Sequence, residues 1–153
     1  WHRILNGTSP NGLVVDAPTD TVTGYFQSGG GTYKYLKELN NKPTWMTTHS
    51  ITLNDEAFFL KRFDQPYLRV SRIFIGTTGG PLEYVEVDWA NSPLDWGVDA
   101  NINIVLKGNL SAAEINRIFG NLPTLNRGID VRDNPGYASC DPSIATAKGW
   151  TVL

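Results

Sequence analysis

Scarcity is the first thing to read in this chain of 153 residues, which has one cysteine, one methionine and two histidines. Cys140 alone cannot close an intramolecular disulfide, so the fold must rest on its own core, and the compartment stays open between reducing, virion and secreted settings. His2, His49 and Cys140 are too few and too scattered for a zinc site, and no metal or other cofactor is expected. No G-x-S-x-G motif accompanies the histidines, so nothing assembles a nucleophile with its base, and His49 reads as a core or turn residue. The stretch SGGGTYK (28–34) lacks the second glycine and Lys-Ser/Thr pair of a phosphate loop and reads as a linker.

Charge of one sign is also missing. The formal net charge is −2 and no Lys/Arg run exceeds two residues, which leaves no footprint for a nucleic acid or an anionic membrane. No apolar run approaches the roughly 18 residues that cross a bilayer. Nor does a basic-then-apolar start read as a signal peptide. Trp1 stands where an initiator Met is expected, which reads as a processed start or a piece of a longer protein. The sequons Asn6-Gly-Thr8 and Asn109-Leu-Ser111 read as chance, since Asn109 is expected as a rung residue and Ser111 as a helix cap.

What is present is a core-forming composition, 41% hydrophobic and 11% aromatic, and a repeat. A helix-like stretch, a proline turn and a short β-rich run recur, with Pro43, Pro66, Pro93 and Pro123 spaced by 23, 27 and 30 residues. After these prolines come aliphatic pairs beginning at Ile51, Ile73, Ile104 and Ile129. Periods of this length point to stacked units, each adding a rung to a continuous core. The fold expected is therefore α/β, a short solenoid of about five rungs with a parallel sheet.

Local signals set the expected elements. Residues 1–31 form an N-terminal β segment, a hairpin or a cap, ending in the Gly29–Gly31 joint. Thr32 is expected to cap a helix over Tyr33–Leu39, and Asn54 another over Asp55–Phe63. Ser111 and Glu114 make a capping box before Ile115, Ile118 and Phe119, with Gly120 as a left-handed exit. Asp141-Pro142 and Gly149 frame a last short helix. The runs ITL, RIFI, INIVL, IDV and WTV predict one parallel strand per unit. LEYVEVDW (82–89) reads as a helix-free shortened repeat or an insertion.

Ile104-Val-Leu106-Lys-Gly-Asn109 and Ile129-Asp-Val131-Arg-Asp-Asn134 lie 25 residues apart, and both match L-x-L-x-x-N. In this respect the chain resembles leucine-rich-repeat proteins over about 120 residues. The aliphatic pair points into the core and the asparagine amide ties adjacent rungs. Glu56 and Thr78 stand at the asparagine position of the earlier rungs. The closing stretch DNPGYASCDPSIATAKGWTVL is similar to the ending of divergent leucine-rich-repeat proteins of tailed-phage structures and bacterial surface adhesins. It reads as a cap from about residue 137, with Trp150 and Val152 over the last rung, and as a true C-terminus.

A solenoid face suits binding more than catalysis. Strand parity turns Thr52, Phe74, Val105 and Asp130 outward, and the apolar Phe74 and Val105 call for a cover, either a partner or residues 1–31. Tyr84, Trp89 and Trp96 in the irregular segment are a second candidate binding group. Asp130, Asp133, Asn134 and Asp141 lack calcium-loop spacing and read as turn residues. Glu83, Glu86, Asp88, Asp95 and Asp99 could supply a glycosidase pair, yet read first as a solvated acidic face. The expectation is a non-catalytic domain without catalytic residues. The resemblance implies a phage tail, fibre or baseplate-associated component in the virion. Its partners would be other virion proteins or a host-surface polysaccharide or protein, with neither nucleic acid nor membrane insertion, and a homo-oligomer is allowed. A bacterial cell-surface or secreted adhesin is the alternative, and a carbohydrate-active enzyme a more distant one.

Overall fold

Two parallel sheets share the strands of the chain between them. In the computed structural model the residues described are 13–17, 26–27, 36–41, 46–53, 60–66, 68–94 and 102–153, with side chains from residue 51 onward. The strands are β1 (Leu13–Ala17), β2 (Phe26–Gln27), β3 (Leu36–Asn41), β4 (Met46–Leu53), β5 (Arg62–Gln65), β6 (Leu68–Gly76), β7 (Tyr84–Val87), β8 (Ile102–Lys107), β9 (Gly128–Asp130) and β10 (Thr151–Val152). Helix α1 spans Ala112–Asn121 and α2 spans Ser143–Thr146. The four-stranded sheet has the order β1-β3-β5-β7 and the six-stranded sheet β10-β9-β8-β6-β4-β2. Every pairing in both is parallel. The protein is thus mixed α/β with parallel sheets and a few helices.

The core follows from alternation. Ile51, Ile73, Ile104 and Ile129 are register partners in turn, as are Leu53, Ile75 and Leu106. All are essentially inaccessible, and Val131 beyond β9 joins them. This is the parallel stack that the repeated aliphatic pairs predict. Phe63 of β5 and Val85 and Val87 of β7 belong to the same apolar cluster, so both sheets contribute to one core. Within β6 the inward parity switches between Leu68/Val70 and Ile73/Ile75. The corner falls at buried Ser71, whose carbonyl accepts from the amide of buried Asn103 at 3.2 Å. Where β6 ends, Gly76 has φ +92°, and a Cβ there would lie 1.8 Å from the Lys107 carbonyl oxygen, so only glycine fits.

Where two helices are expected, the described residues include strands. The stretch read as a helix over Tyr33–Leu39 overlaps β3, which begins at Leu36 and is paired on both sides by β1 and β5. Leu, Lys and Glu favour a helix locally, but two parallel neighbours override a propensity of tenths of a kcal/mol per residue. The expected Asn54-capped helix falls mostly outside the described residues, and its end, at Arg62–Phe63, lies in β5. There Phe63 and Gln65 are buried while Arg62 and Asp64 are half-exposed, a period of two. LEYVEVDW, read as a helix-free shortened repeat or an insertion, contains β7, the edge strand of the smaller sheet. Residues 1–31 do not form a hairpin between β1 and β2, which lie in different sheets, each parallel to its neighbour.

The C-terminal helices agree better with their local signals. Ser111 Oγ accepts from the Glu114 amide at 3.2 Å and caps α1. Gly120, however, is not a left-handed exit: it is within the helix, and its φ is not positive. The chain leaves α1 at Leu122 before Pro123, with Lys148 Nζ donating to the carbonyls of Phe119, Gly120 and Leu122 at 3.1, 2.5 and 2.9 Å. A cation thus satisfies the helix C-terminus in place of a glycine turn. Asp141 accepts from the Ser143 amide at 3.0 Å ahead of α2, and Gly149 at φ +89° supplies the left-handed turn into β10.

Candidate functional site

Register carries the outward positions of the larger sheet into one line. Gln27 pairs with Thr52, Thr52 with Phe74, Phe74 with Val105, and Val105 with Asp130. Thr52, Phe74, Val105 and Asp130 are each half-buried, so the four residues chosen by strand parity form one row across β4, β6, β8 and β9. The Arg72 guanidinium sits 5.1 Å from the centre of the Phe74 ring, within cation–π range. At the end of the row Asp130 accepts from Arg132 Nη2 at 2.8 Å, Nε at 3.0 Å and the Arg132 amide at 3.2 Å. The Arg132 hydrogen bonds hold the Asp130 carboxyl below the usual aspartate range. Next to it Asp133 bridges Lys107 Nζ and Thr78 Oγ1, both at 2.9 Å, which ties the loop after β6 to the loop after β9. The face grades from aromatic to aliphatic to ionic along a single row.

Of the second candidate group, the two described members, Tyr84 and Trp89, do not share a face. Tyr84 lies on the outer face of β7, with the Arg62 guanidinium carbon 3.6 Å and that of Arg117 4.7 Å from its ring centre. Burial raises the Tyr84 hydroxyl pKa above its ordinary value. Trp89 begins a 3-10 turn (Trp89–Asn91) and is buried in the core at 1% exposure, so it cannot offer a ring to a ligand. Trp96 lies outside the described residues.

Around Tyr84 an ionic network forms that no local motif announces. Arg62 donates to Asp64 Oδ2 from Nη2 at 2.7 Å and from Nε at 3.1 Å. Arg117, from α1, bonds Glu86 of β7 and takes Glu114 in a two-point contact, Nε to Oε2 at 2.9 Å and Nη2 to Oε1 at 2.8 Å. Partial burial pushes the Glu86 carboxyl up, against the pull of Arg117. The Glu114 hydrogen bonds, with the charges of Glu114 and Glu86, keep Arg117 firmly protonated despite its burial. The Glu114/Arg117 spacing of three is visible in the sequence, but their meeting with Glu86 requires knowing that α1 crosses the edge of β7.

Two of the acidic residues, Glu86 and Asp88, have structural uses here. Glu86 is held by Arg117, and Asp88 by Arg69 Nε at 2.9 Å and by the Asn91 amide. Asp95 and Asp99 lie outside the described residues. Asn134 is buried and joins three backbone groups, donating to the Leu106 and Val131 carbonyls at 2.7 and 2.9 Å and accepting from the Leu110 amide at 3.2 Å. That is the tie between neighbouring segments expected of it, whereas Asn109 at the matching position is exposed. Among the described residues no group of three or more His, Cys, Asp or Glu side chains could hold a metal ion. No described helix is long and apolar enough to cross a membrane. No protein family, characterised protein or solved structure matches the chain.

Proposed function

We propose that this chain is a non-catalytic binding and assembly domain, built as a short solenoid, that docks its partner on the Thr52–Phe74–Val105–Asp130 row. The observation that carries the reading is the register itself: four consecutive strands of the larger sheet repeat one outward position without a break. Such repetition makes an extended surface out of single residues, the geometry by which solenoids bind long partners. The solenoid reading draws on strand allocation, since from β1 to β8 the chain adds strands to the two sheets alternately. It departs from the leucine-rich-repeat pattern there, because the return path is a strand until α1 replaces it after β8.

The closing sequence, through its resemblance, favours a tailed-phage tail, fibre or baseplate domain as the setting, with a bacterial surface adhesin next. The partner would then be a host-surface polysaccharide or a neighbouring virion protein. The arginine partners of Glu86 and Asp88 support reading the acidic segment as structural rather than as a glycosidase pair.

The test is retention of bacterial surface polysaccharides on immobilised protein, with reducing-end release measured in parallel. Retention without release is expected, and Phe74→Ala should weaken it about tenfold, the loss typical of a central aromatic anchor. Ile75→Ala, which opens a core cavity, should instead cost about 2–5 kcal/mol of stability. Release of reducing ends overturns the non-catalytic reading. Unchanged retention by Phe74→Ala moves the site off this face, and retention of no polysaccharide turns the reading to virion assembly.

A further inference from the structure

Strand β7 ends the smaller sheet, and an edge strand presents N–H and C=O groups that another strand can take. Within β7 the Tyr84 amide donates back toward β5, to the Lys61 carbonyl at 3.3 Å, which also accepts from the Glu83 amide just before the strand at 2.8 Å. Successive residues of a parallel strand bond to opposite sides, so Val85 addresses the open side. What it meets there is α1. Glu114 Oε1 accepts from the Val85 amide at 3.1 Å, and Arg117 Nη2 donates to the Val85 carbonyl at 2.6 Å. The two side chains are bonded to each other, so together they offer the one acceptor and one donor that a neighbouring strand would bring.

The diversion of Glu114 is informative. In a capping box this carboxylate turns back to the amide of the N-cap residue, whereas here it reaches across to another element.

We propose that the Glu114–Arg117 pair is the stop of the smaller sheet, occupying the β7 edge and so barring a second copy of the chain from pairing there. The occupant is argued from β7 itself. Its alternation of buried Val85 and Val87 with outward Tyr84 and Glu86 is self-complementary when two such edges meet about a two-fold axis. The inference holds whatever binds the opposite sheet.

Two measurements test it. In the intact protein the Val85 amide should show slow hydrogen exchange, far from the rate of an open edge, and unprotected exchange there overturns the clamp. In the Glu114→Ala/Arg117→Ala variant, sedimentation should show mass at least doubling as concentration rises, with the near-ultraviolet signal of buried Trp89 and Trp150 retained. A folded variant that stays monomeric across that range overturns the proposal. Should the double variant lose its near-ultraviolet signal, Glu114→Ala alone carries the test, because Arg117 keeps Glu86 and the Val85 carbonyl. Monomeric behaviour of that variant with Val85 still protected is equally fatal.

Discussion

Asn109 and Asn134 occupy the same place in a repeated hexad, yet only one of them is structural in the way the hexad implies. Asn134 satisfies three backbone groups from buried positions, so Asn134→Ala should cost about 3 kcal/mol by stranding them. Asn109→Ala, at an exposed site, should fall within about 0.5 kcal/mol of the parent. Urea titration of the two variants checks both, and equal losses would mean that the hexad acts through something other than burial. Asp130 gives a pH signature. Its folded pKa is lowered, so its contribution to stability is fully present above the ordinary value of 3.8 and is lost as pH falls through the folded value. The gap in urea midpoint between the parent and Asp130→Asn should therefore narrow on acidification. Glu86 runs the other way: its folded pKa is raised above the ordinary 4.5 by burial, so that contribution is fully present below 4.5 and is lost as pH rises through the folded value. The outward row was legible at this scale because parity is a local property of each strand. The Arg62–Tyr84–Arg117 stack was not, since its members come from β5, β7 and α1 and nothing in their spacing brings them together.

At the scale of elements, the sequence is read well where an element is terminated by its own neighbours and poorly where its partners decide. Helix α1 has its cap residue and its apolar spacing within a dozen positions, and it forms where they predict. Strands β3 and β5 carry helix-compatible residues and become strands because parallel neighbours flank each of them. The end of α1 shows the same divide. A glycine near a helix C-terminus invites a left-handed reading, but the carbonyls there are taken by Lys148, 28 residues beyond Gly120. Two opposite outcomes follow. Gly120→Ala should stabilise the protein by about 0.5–1 kcal/mol, because the position is helical and a Cβ would meet open space. Lys148→Met should destabilise it by about 2 kcal/mol through the loss of charge-assisted hydrogen bonds. Thermal melts of the two variants decide the matter, and a destabilised Gly120→Ala would restore the left-handed exit.

For the whole molecule the question is what ends a stack of parallel strands, since each added strand leaves a new open edge. The larger sheet ends at β10, two residues long, whose Val152 pairs with Ile129. The Leu153 amide and carbonyl continue that pairing to Ile129 and Val131 at 2.9 and 2.8 Å. Trp150 enters the core beside it at 2% exposure, and its indole N–H donates to the Pro123 carbonyl at 2.7 Å. The period of the aliphatic pairs made the larger sheet readable from one strand to the next. The smaller sheet stayed hidden because β5 and β7 carry charged or polar residues at every outward position and no aliphatic pair repeats between them. Deleting Gly149–Leu153 removes the indole and the last strand together. Loss of a buried tryptophan alone costs about 3–5 kcal/mol. At roughly 2–4 °C per kcal/mol for a chain of this size, the truncated protein should melt at least about 6 °C lower. The β9 edge left bare by the deletion should also drive association, visible as light scattering that grows with concentration. A truncated protein with the parent melting temperature and a single monomeric species would show that the closing segment lies against the stack without sealing it. The seal would then have to come from α1 and α2, which pack on each other at the same end of the chain.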